Sequence, residues 1–220
     1  MVEYPTDNRG VVGSIPAWTI MLPLEECSNQ RIKQLVLKLK KDGVIIFPTD
    51  TVYALCANAF SSKAMQRIID IKQRSAEKNF NIIFGSQKPI LEWMEVSVSE
   101  KELLDKYFPG KITLLLRPKP QYRKYFPSMF YGEKIGCRIT SNKYMQELAK
   151  CIPIIATSCN YSGKPPIQSI KQLPSQIEKQ VDEVIDAGII NGIPTTIIEE
   201  TNGKIKVHRE GEITIGKRKI

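Results

Sequence analysis

The sequence predicts an α/β fold built around an open, twisted, mixed sheet. Short apolar runs that end at Pro or Gly alternate along the chain with segments in which apolar residues recur at helical spacing. Of the 220 residues, 42% are apolar and 25% are charged, an ordinary globular composition that excludes a disordered or collagen-like chain. This length suffices for one substantial domain or two small ones. No apolar run is long enough to predict a membrane span.

The first half of the chain predicts an irregular arm followed by alternating helices and strands. Pro and Gly are frequent in residues 1–27, which we expect to form an N-terminal arm. Ser28 and Asn29 can cap a helix that Gly43 ends. The elements expected next are a strand at 44–47, a helix at 62–73, a strand at 80–84, a helix opened by a Ser99–Glu102 capping box, and a strand at 112–116.

The second half completes a domain that we place at residues 28–212, with a C-terminal tail at 213–220. The Pro- and Tyr-rich residues 117–133 are expected to form a mobile loop. The expected elements are strands at 135–139, 153–156, 181–186, 196–199 and 205–208, and helices at 142–150 and 169–180. Ligands of such sheets bind where loops converge at strand ends. The polar loops that mark the expected site are 48–53, 72–79, 157–163 and 208–211.

The charge balance is strongly basic. Lys and Arg number 32 and Asp and Glu number 23, which gives a net charge of +9. A surplus of this size is typical of proteins with polyanionic partners such as nucleotides or nucleic acid, and it also keeps a protein soluble. The start of the chain lacks the basic and apolar segments of a signal peptide, so we expect a cytoplasmic protein with no membrane partner.

The cysteines and the single histidine argue against a metal site or a catalytic triad. No two of the five cysteines are spaced as C-x-x-C, and zinc sites commonly use histidines as well. We therefore expect free thiols, no disulfide and no structural metal. A triad would have to use His208, which lies in a strand-like segment near the C-terminus. The cysteines are Cys27, Cys56, Cys137, Cys151 and Cys159.

Each polar loop has an ordinary structural interpretation beside a functional one. Thr49, Asp50 and Thr51 follow a buried strand and could bind a small polar substrate, or could form a side-chain-capped turn. Lys72 and Arg74 could grip one anion, or could simply stabilise the end of a helix. Neither G-x-x-x-x-G-K-[ST] nor G-x-G-x-x-G occurs, so any phosphate must be held without a P-loop.

Taken in order, these loops resemble the motifs of the YrdC-type threonylcarbamoyl-AMP synthases, which serve the N6-threonylcarbamoyladenosine modification of tRNA. The resemblance runs from about residue 30 to residue 212. It rests on seven motifs: PTDTVYAL at 48–55, KQR at 72–74, FPGKIT at 108–113, GCRI at 136–139, SCNYSG at 158–163, PTTI at 194–197 and REG at 209–211.

The resemblance implies a large basic cavity and a nucleotidyltransferase reaction. L-Threonine and bicarbonate would give N-carboxy-threonine, whose carboxylate attacks the α-phosphate of ATP to form L-threonylcarbamoyladenylate and pyrophosphate. Attack on a phosphate needs positioning and charge neutralisation more than a nucleophilic side chain, so no nucleophile is expected. Mg²⁺ is expected on ATP, without protein ligands. Downstream tRNA threonylcarbamoyl-transfer proteins are implied as partners.

The resemblance also assigns site residues. The expected ATP-binding residues are Lys72, Arg74, Lys78, Thr113, Ser158, Asn160 and Arg209. The expected threonine-binding residues are Thr51, Arg138 and Thr195. The family's Lys-Arg-Ser-Asn group, expected to position the reactants, corresponds to Lys72, Arg74, Ser158 and Asn160. Because the Thr51 hydroxyl can bond polar groups of the substrate while Val52 and Leu55 wall its methyl, we expect threonine to be preferred to serine, and serine to valine.

Two features keep other interpretations open. Ala54, Ser75, Asn79 and Thr195 depart from the synthase motifs, and the segments around 79–81 and 194–196 resemble the related YciO-type branch. The basic charge also fits a non-catalytic protein of the same fold that binds double-stranded RNA or tRNA. A relative of carbamoyl-phosphate-type transferases would need a companion domain, for which we expect no room in 220 residues.

Overall fold

The computed structural model describes residues 29–73, 80–126 and 130–215. The expected N-terminal arm at residues 1–27 lies outside these ranges, as does most of the expected tail. Within them, strands and helices alternate as the sequence predicts, and the α/β fold with an open mixed sheet is confirmed. No helix in these ranges is long and apolar enough to cross a membrane.

The described strands form one mixed sheet. They are β1 (Val44–Pro48), β2 (Tyr53–Asn58), β3 (Asn81–Ile83), β4 (Met94–Glu95), β5 (Ile112–Pro118), β6 (Phe130–Tyr131), β7 (Lys134–Arg138), β8 (Ile154–Ser158), β9 (Glu183–Val184), β10 (Thr196–Thr201) and β11 (Lys204–Arg209). The main order is β11-β10-β5-β7-β3-β8-β2-β1-β9, with β4 beside β5 and β6 beside β7. The pairs β1–β9, β10–β5 and β3–β7 are parallel and the other described pairs are antiparallel, which makes β11 and β9 the free edges.

The four longest described helices begin at side-chain caps that the sequence provides. Asn29 accepts a hydrogen bond from the backbone N of Arg31 (2.7 Å) at the start of the first helix. The expected capping box lies two residues early, at Ser97 and Glu100, because Ser97 opens an overlapping S-x-x-E. The helices are α1 (Gln30–Lys40), α2 (Ser62–Lys72), α3 (Gln87–Trp93), α4 (Val98–Tyr107), α5 (Pro120–Arg123), α6 (Lys143–Cys151) and α7 (Ser175–Glu178).

The structure differs from the sequence expectations in three regions. β2 occupies residues that the sequence presents only as part of a polar motif, and all six of its residues are buried, so it shows no alternation. The helix expected at 169–180 is a 3₁₀ turn and the short α7, which Pro174 separates. The expected loop at 117–133 contains α5 and β6.

The two faces of the sheet are covered unequally. On the first face, α2, α3 and α4 pack over a large core through residues such as Ile68, Trp93 and Leu104. On the second face, α1 and α6 cover β1, β2 and β8 through residues such as Leu35 and Leu148. In the described residues, β5, β7 and β10 contribute nothing to that second core. The second face is therefore left open over these strands.

Candidate active site

A cleft of about 140 Å³ opens on the second face of the sheet, beside the part that α1 and α6 cover. This volume is below the roughly 300–1,000 Å³ of pockets that bury drug-sized ligands, so it suits a small ligand such as an amino acid. The cleft brings together predicted site residues from four distant parts of the chain. They are Thr51, Arg138, Ser158, Thr195 and Arg209.

The other predicted site residues are placed differently. Thr113, Lys72 and Asn160 bond to residues of the lining but are not part of it. Arg74 and Lys78 lie outside the described residues, so their expected roles stay predictions. Three of the four expected loops therefore converge where the sequence predicts, and the fourth is described only up to residue 73.

The turn between β1 and β2 fixes the Thr51 hydroxyl as an acceptor. Thr49 Oγ1 donates to Val52 O at 2.7 Å and accepts from the backbone N of Thr51 and of Val52 at 3.1 Å. Because the Thr49 proton is committed, the proton in the 2.9 Å contact between the two threonine hydroxyls belongs to Thr51. The Thr51 oxygen can then accept a hydrogen bond from a ligand. The turn and the binding interpretations of this motif are thus compatible.

Arg138 is held at the cleft by a buried carboxylate. Its Nη2 donates to Asp50 Oδ1, its Nε donates to Gly110 O at 3.0 Å, and its Nη1 lies 3.5 Å from Thr51 Oγ1. Asp50 also accepts from Thr140 Oγ1 at 2.6 Å, and from the backbone N and Oγ of Ser141 at 2.8 and 2.6 Å. The pair is nearly inaccessible, with exposed side-chain fractions of 7% for Arg138 and 9% for Asp50. Asp50 therefore positions Arg138.

Charge and burial compete at this pair. Burial alone would raise the pKa of the Asp50 carboxyl, but Arg138 and the hydrogen bonds from Ser141 and Thr140 outweigh burial and hold this pKa below its usual value. Burial lowers the pKa of the Arg138 guanidinium, Asp50 raises it, and the nearby Arg209 lowers it again. Since arginine keeps its charge in proteins, two guanidinium groups share one cleft, and the carboxylate bonded to Arg138, that of Asp50, lies outside the lining.

A chain of hydroxyl contacts orients Arg209. Its Nε donates to Thr195 O and its Nη2 to Thr195 Oγ1, both at 2.9 Å. The Thr195 hydroxyl in turn lies 2.9 Å from the hydroxyl of the fully buried Thr113. Thr113, which the sequence predicts to bind ATP, therefore contacts the cleft only through Thr195 in the described residues.

Lys72 anchors the loop that follows β8. Its Nζ donates to Ser158 O (2.5 Å), Asn160 O (2.9 Å) and Asn160 Oδ1 (2.8 Å). Ser158 Oγ donates to the same Asn160 Oδ1 at 2.6 Å, and Asn160 Nδ2 donates to Lys164 O. Three members of the Lys-Arg-Ser-Asn group are therefore joined in one network at the rim of the cleft.

Two residues have roles at the cleft that the motifs do not assign to them, and one residue expected to wall the substrate lies elsewhere. Asp50 stands in the recognised motif, but its contact with Arg138 depends on strand pairing that the motif does not encode. Asn81 lines the cleft from β3, and its signal in the sequence is a polar residue inside an apolar strand. Val52 lines the cleft as expected, whereas Leu55 is fully buried in the core of the first face, which is where β2 directs it.

Neither His208 nor any cysteine of the described residues supplies a nucleophile to the cleft. Burial raises the pKa of the Cys159 thiol to about 12, which the nearby Lys72 only partly offsets, so the thiol stays protonated. His208 Nε2 bonds to Glu199 Oε2 at 2.6 Å on the neighbouring strand. The chemistry of the cleft therefore depends on positioning and charge.

The expectation that every cysteine is free is wrong. Cys151, at the end of α6, is disulfide-bonded, and its partner is not among the described cysteines. The described Cys56, Cys137 and Cys159 are free and buried. Pairing depends on how closely two Cα atoms approach in the fold, which the spacing of cysteines along the chain does not reveal.

The described residues that line the cleft include no carboxylate, and no group of three or more His, Cys, Asp or Glu residues gathers anywhere in the described ranges. The acceptor positions of Asp50 are occupied by Arg138, Thr140 and Ser141. This donor set does not fit a protein-held Mg²⁺, so the ion would enter as part of a Mg–ATP substrate.

The segment before β10 should tolerate no side chain at Gly192. A Cβ there would lie 2.0 Å from Thr51 O and 2.7 Å from Thr51 C, and no rotamer relieves a clash with backbone. We expect Gly192→Ala to lower the free energy of unfolding by about 1–3 kcal/mol and to weaken L-threonine binding several-fold, as judged by denaturant unfolding and calorimetry. Gly203→Ala strains a turn at φ +80° away from the cleft, so it should cost stability and leave binding unchanged. Unchanged binding in Gly192→Ala would contradict this contact.

Comparisons with known proteins agree with this architecture. The family model for Sua5, YciO and YrdC proteins, described as "Telomere recombination", matches residues 38–211. A putative threonylcarbamoyl-AMP synthase of Methanocaldococcus jannaschii is 32% identical over 202 residues, which are 90% of this chain and 95% of that protein. The uncharacterized protein YciO of Escherichia coli is 32% identical over 186 residues, which are 82% of this chain and 88% of that protein.

Solved structures of the same group share the fold. P. abyssi Sua5 complexed with L-threonine has a TM-score of 0.73 at 26% identity, covering 82% of this chain. The chain spans about half of that Sua5, 54% of its length. E. coli YciO has a TM-score of 0.73 at 30% identity, covering 84% of this chain and 91% of that one. The chain therefore belongs to the Sua5/YciO/YrdC family.

Proposed function

We propose that this protein is an L-threonylcarbamoyladenylate synthase, a cytoplasmic nucleotidyltransferase that uses L-threonine, bicarbonate and ATP. The observation that carries the proposal is the pairing of Arg138 and Arg209 in one small cleft whose described lining offers no carboxylate and no activated nucleophile. The name of the M. jannaschii relative and the L-threonine in the P. abyssi Sua5 complex support it.

The arginines suit a doubly anionic intermediate. The Nη1 of Arg138 lies 3.5 Å from Thr51 Oγ1, which is long for a hydrogen bond. A substrate carboxylate could therefore replace this contact at little cost in free energy. We assign Arg138 to the carboxylate of threonine and Arg209 to the nucleotide side of the cleft. Thr51, whose proton is committed to Thr49, would accept the N–H of the substrate amine.

The reaction then needs only alignment and charge neutralisation. The amine of threonine adds to the carbon of bicarbonate and water is lost, which leaves an N-carboxylate. An oxygen of this carboxylate forms a bond to the α-phosphorus of ATP, and the bond from that phosphorus to the bridging oxygen breaks to release pyrophosphate. Arg74, Lys78, Ser158 and Asn160 are proposed to lie along the phosphates, with Lys72 holding Ser158 and Asn160 in place, and Mg²⁺ to enter with ATP.

Pyrophosphate release tests the proposal directly. With Mg–ATP present, we expect release only when both bicarbonate and L-threonine are added, and a mass matching L-threonylcarbamoyladenylate in the products. Serine should react more slowly, because one methyl group contributes roughly 1–3 kcal/mol in a close-fitting pocket, and valine more slowly still. No adduct with any amino acid, together with tight binding of duplex RNA, would favour the RNA-binding alternative.

The proposed role of Thr51 predicts a uniform loss. Thr51→Val keeps the shape and removes the acceptor, so it should weaken threonine, serine and valine alike by about tenfold, because each donates through its amine. Calorimetric titrations with the three amino acids measure this. Thr201→Val removes a hydroxyl from the far end of β10 and serves as the control that should bind normally. A loss confined to threonine and serine would mean that Thr51 bonds the side-chain hydroxyl instead.

A further inference from the structure

Asn81 is a polar residue in an otherwise apolar strand. Phe80, Ile82 and Ile83 are 1%, 0% and 2% exposed, and Asn81 is partly exposed among them. Asn81 and Ile83 lie two positions apart, so both side chains point to the second face of the sheet, and both line the cleft. The amide of Asn81 is therefore part of the floor of the proposed amino-acid site.

Small residues on the neighbouring strands give this amide its room. Asn81 pairs in register with Gly136 of β7 and with Ala156 of β8. A Cβ on Gly136 would lie 2.1 Å from Asn81 Oδ1 and 3.0 Å from the methyl carbon of Thr113. The amide thus lies over Gly136, close to the methyl group of Thr113, in space that any other residue at 136 would fill.

The chemistry of this position differs from that of its neighbours. Arg138 and Arg209 carry the positive charge of the cleft, and a neutral amide leaves that charge available for the anionic groups of a ligand. An amide can donate hydrogen bonds to a hydroxyl group and accept one from it. A methyl group in the same position would make no hydrogen bond with the amide. Apolar atoms of Ile83 and Ala156 line the cleft beside it and can accommodate a methyl.

We propose that Asn81 is a specificity-determining residue that bonds the side-chain hydroxyl of the amino-acid substrate. The inference rests on the proposed function, because it presumes that an amino acid occupies the cleft. It divides recognition between two residues. Thr51 accepts from the amine common to all amino acids, whereas Asn81 distinguishes a β-hydroxyl from an apolar branch.

Calorimetric titration of L-threonine, L-serine and L-valine, with ATP titrated separately, tests this division. The wild type should prefer threonine to valine at least on the order of a hundredfold. Asn81→Leu keeps a similar volume and should bring that preference to within about threefold, through a loss of threonine affinity of roughly thirtyfold or more. ATP affinity should not change.

Two further variants keep the test decisive. Asn81→Ala cannot clash and should lose the preference as Asn81→Leu does. Ile82→Val alters the same strand on the opposite face of the sheet, away from the cleft, and should keep the preference. Unfolding curves confirm that each variant folds. Wild-type preference in both Asn81 variants overturns the inference and leaves the proposed function standing. Failure of the wild type to bind any amino acid overturns both.

Discussion

Replacing Asp50 by alanine is expected to lower the free energy of unfolding by about 3–5 kcal/mol and to abolish threonine binding. The substitution leaves the Arg138 guanidinium buried without its counter-charge and removes the acceptor for Thr140 and Ser141. Losing one partner of a buried pair costs far more than the pair contributes, because the remaining charge stays desolvated. Denaturant unfolding and calorimetry measure the two effects.

Asp50→Asn keeps the shape of the side chain and removes its charge, so the pH dependence of the free energy of unfolding shows what the charge contributes. The folded-state pKa of Asp50 lies below its unfolded value, so its contribution to stability is present above the unfolded value of about 3.9 and is lost as the pH falls through the folded value. Because asparagine does not titrate, the Asp50→Asn variant should lack the part of the acid-induced loss of stability that Asp50 contributes. Asp105→Asn removes an exposed carboxylate that also has a lowered pKa, and threonine binding should survive it. Threonine binding that survives in Asp50→Ala would show that Arg138 needs no anchor.

The sequence predicts the fold class because its local patterns are strong. Apolar runs such as 44–47 become central strands, and capped amphipathic segments such as 30–40 become helices. The site residues were predicted through motif order, which marks Thr51, Arg138 and Arg209 without showing how they meet. Their meeting follows from the parallel and antiparallel pairing of strands far apart in the chain.

What could not be predicted depends on contacts between distant segments. The bond from Arg138 to Asp50 joins residues separated by 88 positions, and the room for Asn81 comes from Gly136 on another strand. β2 was missed because a strand buried on both faces shows no alternation, and its first residues read as the end of a polar motif. In each case the deciding information is register, which local patterns do not carry.

Replacing Lys72 by methionine is expected to cost about 2–4 kcal/mol of unfolding free energy and to reduce adduct formation by at least about a hundredfold. Lys72 is 4% exposed, and its ammonium is the donor for Ser158 O, Asn160 O and Asn160 Oδ1. Methionine fills the volume but leaves these partly buried acceptors without that donor, so the loop after β8 should lose its fixed geometry. Hydrogen exchange at residues 158–164 should rise accordingly.

Lys164→Met is the matched control, since Lys164 is an exposed lysine of the same loop and its removal should leave exchange and activity near normal.

A double-mutant cycle of Lys72→Met with Ser158→Ala separates two roles of Lys72. If Lys72 acts through the loop, ATP affinities of the two variants should couple by about 0.5–3 kcal/mol. The contrary result would be slow hydrogen exchange in Lys72→Met, lost ATP binding, and additive effects of the two substitutions on ATP affinity. The ammonium would then bind the triphosphate directly, and the anchoring role would be wrong.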